Sequence, residues 1–215
     1  MPLELQPAVE ADAERAAQIE KDAYARNPFL PVFFPGPFPE PPAGRNVRAE
    51  ELRATLLSNP SVRWWKVVDT DIEPSKDNEQ MIGFAQWNIN DGSFLVPEAR
   101  TFDGPGMNVE ACEAVFGGLQ SIRNKRLETK KHVHLRMLHV DPKHQRRGAG
   151  KMLVMWGVEE SGRLGLPAFL ESSTEGHSLY LTCGFRDIDA YAIDLSKWGR
   201  AEKHVNYIMA LEHGE

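Results

Sequence analysis

The sequence predicts an α+β fold in which a β-sheet is flanked by helices. The chain has 215 residues, which suits a single domain rather than two independent cores. Segments with two-residue alternation are interleaved with segments of helical period. Two strand-like segments, 62–68 and 81–89, are separated by a polar, proline-containing turn, as in a hairpin. We therefore expect one domain over residues 1–215.

The first 44 residues predict a strand, a helix and a long loop. The strand covers residues 3–6, and the helix covers residues 11–25 with small apolar side chains on its inner side. Residues 27–44 contain seven prolines, and proline lacks the backbone donor that helices and sheet ladders need, so this segment is predicted to be a loop. It also holds four of the ten phenylalanines, Phe33 and Phe34 among them. These rings either form a lid or wall for a substrate or pack back onto the core.

The middle of the chain predicts a helix at residues 48–57, the two hairpin strands and an insertion over residues 90–131. A further helix is predicted within the insertion, near residues 109–122. The insertion ends in the basic run 123–131, which predicts a solvated helix end, with a phosphate-binding patch as the alternative. The chemically informative part of the sequence begins with the strand that follows.

Composition argues against several classes of protein. With 41% hydrophobic and 26% charged residues the chain is typical of a soluble globular protein, and no uncharged apolar run approaches the roughly 20 residues of a membrane span. The acidic N-terminus lacks a basic segment followed by an apolar one, so we expect no secretory signal. Cys112 and Cys183 cannot form a disulfide framework or a thiolate zinc site, which predicts a reducing compartment, the cytoplasm or the nucleus, with a cytoplasmic location expected. The net charge of −6 argues against nonspecific binding of nucleic acid and suits a cationic small substrate.

A glycine-rich segment, residues 145–150 with the sequence Gln-Arg-Arg-Gly-Ala-Gly, lies between a strand at 133–140 and the start of a helix. Unpaired N–H groups of a helix's first turn, together with glycines that lack a Cβ, make such a segment a general anion site. It is not a P-loop, because Met152 stands where serine or threonine is required. It is not a dinucleotide fingerprint either, because Leu153 occupies the place of the third glycine.

The motif Gln-x-x-Gly-x-Gly, directly after Leu-His-Val-Asp-Pro at residues 138–142, resembles the signature with which GNAT acyltransferases bind the pyrophosphate of acetyl-CoA. A second stretch, residues 178–185, resembles the family's helix bearing Leu-Tyr, followed by Gly-Phe. Both landmarks occur in the family's order, separated by a strand at residues 168–172. Motif-level resemblance covers about residues 133–188. Within it, Leu-Glu-Ser-Ser at 170–173 is similar to small-molecule acetyltransferases of the puromycin-resistance type.

The resemblance implies an α/β/α arrangement, in which a mixed and mostly antiparallel twisted sheet of about six or seven strands is flanked by helices. It also implies a set of contacts with acetyl-CoA, the expected co-substrate. In the family, the strand equivalent to 133–140 splays from the strand equivalent to 168–172, and strands at 189–194 and 205–211 would close the sheet. The pantetheine arm pairs with the first of the splayed strands through backbone groups, while residues 146–151 would hold the pyrophosphate. The implied contacts are Leu138, His139, Val140, Gln145, Arg146, Arg147, Gly148, Ala149, Gly150, Lys151, Ser173 and Tyr180.

The resemblance also implies direct attack of an amine on the thioester within a ternary complex. Family members with a carboxylate base carry it eleven residues before the glutamine, and that residue here is His134. A neutral imidazole can take a proton directly or through water, yet His134 is equally consistent with a half-buried strand residue bonded to a backbone carbonyl. Glu171 and Asp141 are lesser candidates. His132 and His134 share one strand face, but no third ligand is evident, so no metal site is expected.

Tyr180 occupies the family's tyrosine position, from which its phenol would return a proton to the CoA sulfur; the alternative is a core tyrosine that packs its helix onto the sheet. The implied function is acetyl-CoA-dependent N-acetylation of a primary amine of a small molecule, with Phe33 and Phe34 against the substrate. One alternative is acetylation of a protein lysine or N-terminus. Another is a degenerate domain that binds CoA without catalysis. The oligomeric state stays open between monomer and homodimer, with neither nucleic acid nor a membrane as a partner.

Overall fold

Seven strands form one sheet, and their order in the sheet differs from their order along the chain. The strands are β1 (Leu3–Pro7), β2 (Val62–Asp69), β3 (Met81–Asn90), β4 (His132–Val140), β5 (Ala168–Ser173), β6 (Arg186–Asp194) and β7 (Lys203–Leu211). They lie in the order β1-β2-β3-β4-β5-β7-β6, and every neighbouring pair is antiparallel except β4 and β5. The predicted mixed, mostly antiparallel sheet is thus confirmed in the computed structural model, which describes residues 2–92, 101–127 and 130–213.

Helices pack on both faces of this sheet. They are α1 (Ala13–Tyr24), α2 (Leu30–Phe33), α3 (Val47–Ser58), α4 (Val109–Cys112), α5 (Gly118–Leu127), α6 (Ala149–Leu164) and α7 (Thr174–Thr182). A π-helical turn, Glu113–Gly117, joins α4 to α5, so the helix predicted near 109–122 continues to residue 127. Of the predicted insertion 90–131, residues 93–100 and 128–129 lie outside the described residues. Over the ranges described, no helix combines the length and the apolar character needed to cross a membrane.

The segment predicted to be a loop, residues 27–44, contains the single helical turn α2. Pro31 lies in the first turn of that helix, where a backbone N–H would have no intrahelical partner in any case. Proline therefore does not oppose a helix at this position, and the prediction of an entirely irregular segment is wrong there. Residues 34–44 are irregular, as predicted.

One face of the sheet is covered by α6 and α7. Strand alternation directs apolar side chains from five strands into this layer, among them Val67, Trp87, Leu135, Leu170 and Met209, all buried. The indole N–H of Trp87 donates to the carbonyl oxygen of Leu153 at 3.1 Å, which ties β3 to the N-terminal part of α6. This layer fixes the position of α6 relative to β4.

The opposite face carries α1 and α3 over one half of the sheet. Their apolar cluster includes the buried side chains Ile19, Leu52, Trp64 and Phe84. Tyr24, the last residue of α1, extends beyond this cluster and lies edge-on to His139 of β4, with ring centroids 5.1 Å apart.

The other half of that face is covered by three segments that we call the cap: residues 29–34, 102–127 and 193–198. They share an apolar cluster of their own, in which Phe33, Phe102, Ala111, Cys112, Val115 and Leu195 are buried. The hydroxyl of Tyr191 on β6 donates to the carbonyl oxygen of Ala114 at 2.8 Å and joins the cap to the edge of the sheet. The proline-rich segment and the insertion, far apart in sequence, therefore form one substructure.

The parallel strands β4 and β5 pair over only three residues. Residues 133–135 face residues 168–170, after which β4 continues against β3 alone. The predicted splay is confirmed, and it leaves one edge of residues 136–140 without a neighbouring strand. The N–H of Asp141 donates to the carbonyl oxygen of Ile82 at 2.8 Å, on the β3 side. Because alternate residues direct their backbone groups to opposite sides, those of Leu138 and Val140 face the gap.

A substitution at Gly157 tests whether the packing between α6 and the sheet is as tight as described. A Cβ at this residue would overlap the buried ring of Trp87. Gly157→Ala should lower the free energy of unfolding by about 2 kcal/mol, because neither the helix backbone nor the indole has room to move. Gly162→Ala in the same helix is the control, since its Cβ would meet only the His213 ring, at 3.3 Å. Urea unfolding measures both, and equal stability of the two variants would contradict this packing.

Candidate active site

The turn before α6 exposes a set of backbone N–H groups. Gly148 precedes the helix with a φ of 97°, and Arg146 has a φ of 63°, so both lie in the left-handed region. The N–H of Met152 donates to the carbonyl oxygen of Gly148 at 3.0 Å, while the N–H groups of residues 149–151 have no partner within the helix. These donors and the positive end of the helix dipole fit an anion such as a pyrophosphate.

The side chain of Arg147 anchors this turn. Its Nη2 donates to Oδ2 of Asp69, the last residue of β2, at 2.6 Å, and its Nη1 lies 2.8 Å from Nδ1 of His144. Arg146 and Lys151, by contrast, have exposed side chains. Any contact of Arg147 with a phosphate would therefore come from its backbone.

Asp69 is charged when it holds Arg147. Burial alone would raise the pKa of its carboxyl, but hydrogen bonds from Arg147 and from the N–H of Asp71 outweigh burial, so the pKa of Asp69 is lowered. Asp141 behaves in the same way: burial opposes ionisation, whereas the N–H of Lys143 and the guanidinium of Arg15 lower the pKa of Asp141. A buried, ion-paired carboxylate with a lowered pKa is a weak base, which fits a structural role for Asp141.

The turn also packs against the second sequence landmark. A Cβ at Gly150 would lie 3.1 Å from Cδ2 of Leu179 on α7, so the turn and α7 are in close contact. The side-chain amide of Gln145 donates to the carbonyl oxygen of Val140 at 3.3 Å. The predicted anion site, the open edge of β4 and α7 are therefore adjacent.

His139, between the two gap-facing residues of β4, points to the face that carries α1. Its ring lies between Tyr24 and Phe84, with the Phe84 centroid at 5.5 Å. Burial is the main reason why the pKa of His139 is lowered, and the nearby Arg48 lowers it further, with Glu20 opposing. The ring is neutral at physiological pH, and by the same alternation the backbone groups of His139 face β3, so the predicted contact of His139 with CoA stays a prediction.

Tyr180 lies at the other side of the gap, on α7. Its side chain is buried, edge-on to Phe185 with centroids 6.3 Å apart. Burial raises the pKa of Tyr180, and the nearby Tyr24 and Cys183 raise it further. The phenol is therefore protonated at neutral pH and available as a hydrogen-bond donor. Ser173, another predicted contact, is exposed and precedes the first turn of α7.

A polar strip crosses the opposite face of the sheet between the two apolar clusters described above. By strand alternation its residues point away from α6, because their neighbours along each strand point towards it. The strip consists of Gln86, Asn88, His132, His134, Glu171 and Asn206, all buried or half-buried. It lies where β4 and β5 begin to diverge. A buried polar strip between apolar clusters is the arrangement expected of a site that receives a polar ligand.

Glu171 is the charged centre of the strip. Its Oε2 lies 3.1 Å from Nε2 of His134, and its Oε1 accepts a hydrogen bond from Nε of Arg123 at 2.7 Å. Burial alone would raise the pKa of Glu171, but His134 and Arg123 lower it well below its usual range. A carboxylate can only accept, so Nε2 of His134 carries the proton, which leaves Nδ1 as the basic atom of the neutral ring.

Arg123 corrects one prediction from sequence. The basic run 123–131 was expected to be a solvated helix end, yet the side chain of Arg123 is only 13% exposed because it reaches from α5 to β5. Arg126, one turn later, is more exposed and pairs with Asp189 on β6. The first turn of the run is thus part of the sheet's polar strip, while residues 128–129 lie outside the described residues.

Phe33 and Phe34, predicted to contact the substrate, belong to the cap. Phe33 is 3% exposed, and its ring lies 4.9 Å from Phe116 and 5.6 Å from His204 of β7. Phe34 is half-buried beside it, with ring centroids 6.5 Å apart. Both rings therefore help to hold the proline-rich segment onto the cap, and contact with a substrate stays a prediction.

Five residues of the site were missed from sequence: Tyr24, Gln86, Asn88, Arg123 and Asn206. Asn206 lies beside Ser173 in the sheet, and its buried Nδ2 has no hydrogen-bond partner among the described residues. Alternation along β7 could have placed Asn206 on the same face as Glu171, but only if the strand neighbours were known. Within the described ranges, no group of three or more histidine, cysteine, aspartate or glutamate residues is arranged to hold a metal ion.

Comparisons with known proteins concern the family and the fold of the chain. The model of the Acetyltransferase (GNAT) family matches residues 35–185. A search of the curated proteins found no match. Many solved structures are similar in fold.

Three of these structures cover nearly the whole chain. One is described as histone acetyltransferase HPA2 and related acetyltransferase from Corynebacterium glutamicum; it is 18% identical, with a TM-score of 0.60, and the match covers 100% of this chain and 98% of that chain. Arabidopsis thaliana NAA60 in complex with acetyl-CoA is 18% identical, with a TM-score of 0.55 and 97% of each chain covered. A protein described as a phosphinothricin N-acetyltransferase is 12% identical, with a TM-score of 0.57 and 100% of each chain covered. At these identities the likeness concerns the fold.

The Arg147–Asp69 ion pair is expected to stabilise the turn before α6. Arg147→Ala leaves a buried carboxylate uncompensated and should lower the free energy of unfolding by about 3 kcal/mol at neutral pH. The pKa of Asp69 is lower in the folded protein than in the unfolded chain, where it is about 4. The ionised carboxylate therefore contributes its full share to the free energy of unfolding above about pH 4, and this contribution is lost as the pH falls towards the folded pKa. The loss caused by Arg147→Ala should therefore shrink in acid, as measured by urea unfolding. Arg146→Ala is the control, and an equal loss in that variant would contradict the anchoring role.

Proposed function

The chain belongs to the GNAT acetyltransferase family, whose model matches most of its length, and on that premise we propose that it transfers the acetyl group of acetyl-CoA to a primary amine. The observation that carries the proposal is the proximity of three features at one gap. These are the N–H groups before α6, the backbone groups of Leu138 and Val140 that face the gap, and helix α7, which carries Tyr180 and packs against the turn through Leu179.

Each feature suits one part of acetyl-CoA. The N–H groups of residues 149–151 would bind the pyrophosphate. The backbone groups of Leu138 and Val140 would pair with the amides of the pantetheine arm as a further strand would, which satisfies polar groups that β5 leaves unpaired. This orientation would direct the thioester towards α7 and Tyr180.

The transfer would proceed by direct attack. The amine nitrogen forms a bond with the acetyl carbon while the carbon–sulfur bond breaks, and the electron pair of that bond leaves on sulfur. The nitrogen loses its proton to Nδ1 of His134, through water because the imidazole is only 5% exposed. The phenol of Tyr180 donates a proton to the sulfur and recovers one from solvent.

The acceptor is proposed to be a small amine. The polar strip lies next to the cap, whose rings hold the proline-rich segment close to β7, and a confined site of this kind favours a small ligand over an extended peptide. A protein lysine or N-terminus is the second candidate, because solved structures of similar fold include a histone acetyltransferase. Both cysteines are buried as thiols and neither forms a disulfide, which supports a cytoplasmic location.

Thiol release tests these alternatives. The purified protein is incubated with acetyl-CoA and with either a panel of small primary amines or a panel of peptides with free N-termini and lysines, and free CoA is measured. Faster release with small amines than with peptides supports the proposal. The reverse order would establish the protein-directed alternative, and saturable binding of acetyl-CoA without release in either panel would identify a CoA-binding module.

Tyr180→Phe isolates the proton donor. The change removes only the hydroxyl, so turnover should fall by roughly one to three orders of magnitude while the Kd for acetyl-CoA stays near its wild-type value. Tyr207→Phe is the matched control. It also removes a single phenol hydroxyl, but the ring of Tyr207 stacks on His177, with centroids 3.9 Å apart, and has no role in the proposed transfer. Steady-state kinetics and calorimetry measure the two quantities. Wild-type turnover in Tyr180→Phe would exclude this phenol from the mechanism.

A further inference from the structure

We propose that Arg123, on the helix inserted between β3 and β4, is a positioning residue that acts through Glu171 on His134 and so makes the cap part of the catalytic machinery. The inference rests on the proposed function, in which His134 takes the proton of the amine. It assigns a role in acetyl transfer to a segment that the sequence motifs do not include.

The contacts form a continuous chain. Nε of Arg123 donates to one oxygen of Glu171 at 2.7 Å, and the other oxygen lies 3.1 Å from Nε2 of His134. The three side chains are 13%, 15% and 5% exposed, so little water competes for these bonds. The carboxylate of Glu171 therefore interacts with a permanent cation, Arg123, and with a titratable ring, that of His134.

The cap fixes Arg123 relative to the sheet. The π-helical turn before α5 packs through Val115 and Phe116 into the cap's apolar cluster. The Tyr191 hydroxyl binds the Ala114 carbonyl oxygen at 2.8 Å, and Arg126 pairs with Asp189, so two contacts with β6 flank Arg123 along the helix. A π-helical turn changes the direction of the side chains that follow it, and such turns are frequent at functional sites.

The other charged groups around His134 are few among the described residues. On β4 itself, His132 has its ring 6.4 Å away, and Arg136 follows two residues later. β5 contributes Glu171, and α5 contributes Arg123. The paired residue on β3 is the uncharged Asn88. His132 and Arg136 are unchanged in the variants below, so their effect is common to all of them.

Removing Glu171 and removing Arg123 should change the pH at which His134 releases its proton in opposite directions. Glu171 stabilises the protonated ring of His134, so its removal should make His134 release its proton at lower pH. Arg123 repels the protonated ring and draws charge from Glu171, so its removal should make His134 hold its proton to higher pH. A residue that only braced the fold would not produce this opposition.

The test is an NMR titration of the imidazole of His134 between about pH 5 and pH 9, with its signal assigned from the spectrum of His134→Gln. Arg123→Gln should move the titration midpoint upward by about half a pH unit, and Glu171→Gln should move it downward by about one pH unit. Arg123→Met, which keeps most of the apolar stem, gives a second neutral variant and should move the midpoint in the same direction as Arg123→Gln. Lys125→Gln, which removes an exposed cation from the same helix, is the matched control and should leave it unchanged.

The acidic limb of the kcat/KM profile should follow the NMR midpoint in every variant. A midpoint that stays in place in both Arg123 variants, or that moves in the same direction as in Glu171→Gln, would overturn the proposal. The titration needs no substrate, so it remains readable if acetyl transfer is absent. Absent transfer would refute the proposed function, whereas active enzyme with an unmoved midpoint would refute the role of Arg123 alone.

Discussion

The divergence of β4 from β5 is the constraint on which the rest of the site depends. A parallel strand pair that ends after three residues leaves the backbone of Leu138 and Val140 without strand partners in the middle of a sheet. Unpaired polar backbone in such a place is costly unless a ligand or water satisfies it. The gap therefore favours a ligand that carries its own amides, and the N–H groups before α6 favour one that also carries a phosphate.

The two faces of the sheet differ in the residues that they present and in the ligand that each would contact. The face under α6 and α7 is a continuous apolar layer, which holds the turn before α6 and Tyr180 in fixed positions. The opposite face is interrupted by a polar strip between two apolar clusters. The co-substrate would thus be bound by rigid backbone, whereas the acceptor would contact side chains. Substitutions in the cap could therefore change the preferred acceptor without changing the turn before α6.

The sequence allowed the strands, the main helices and the glycine-containing turn before α6 to be predicted, because these depend on local signals such as alternation, helical period and glycine at a helix start. The Glu171–Arg123 contact joins residues 48 positions apart, and no local pattern indicates it. The cap could not be predicted either, because its cluster combines residues from three segments that are distant along the chain. The proline-rich segment was expected to be irregular throughout, and the turn α2 within it shows that the position of a proline matters more than the number of prolines.

The most direct test of the central claim is amide hydrogen exchange, followed by NMR with and without acetyl-CoA. Bound acetyl-CoA should slow exchange at the amides of Leu138 and Val140 and at residues 149–151. Adenosine 3′,5′-bisphosphate, which has no pantetheine arm, should leave Leu138 and Val140 unprotected. Saturating acetyl-CoA without protection at those two amides would contradict the proposal that the open edge of β4 binds the pantetheine.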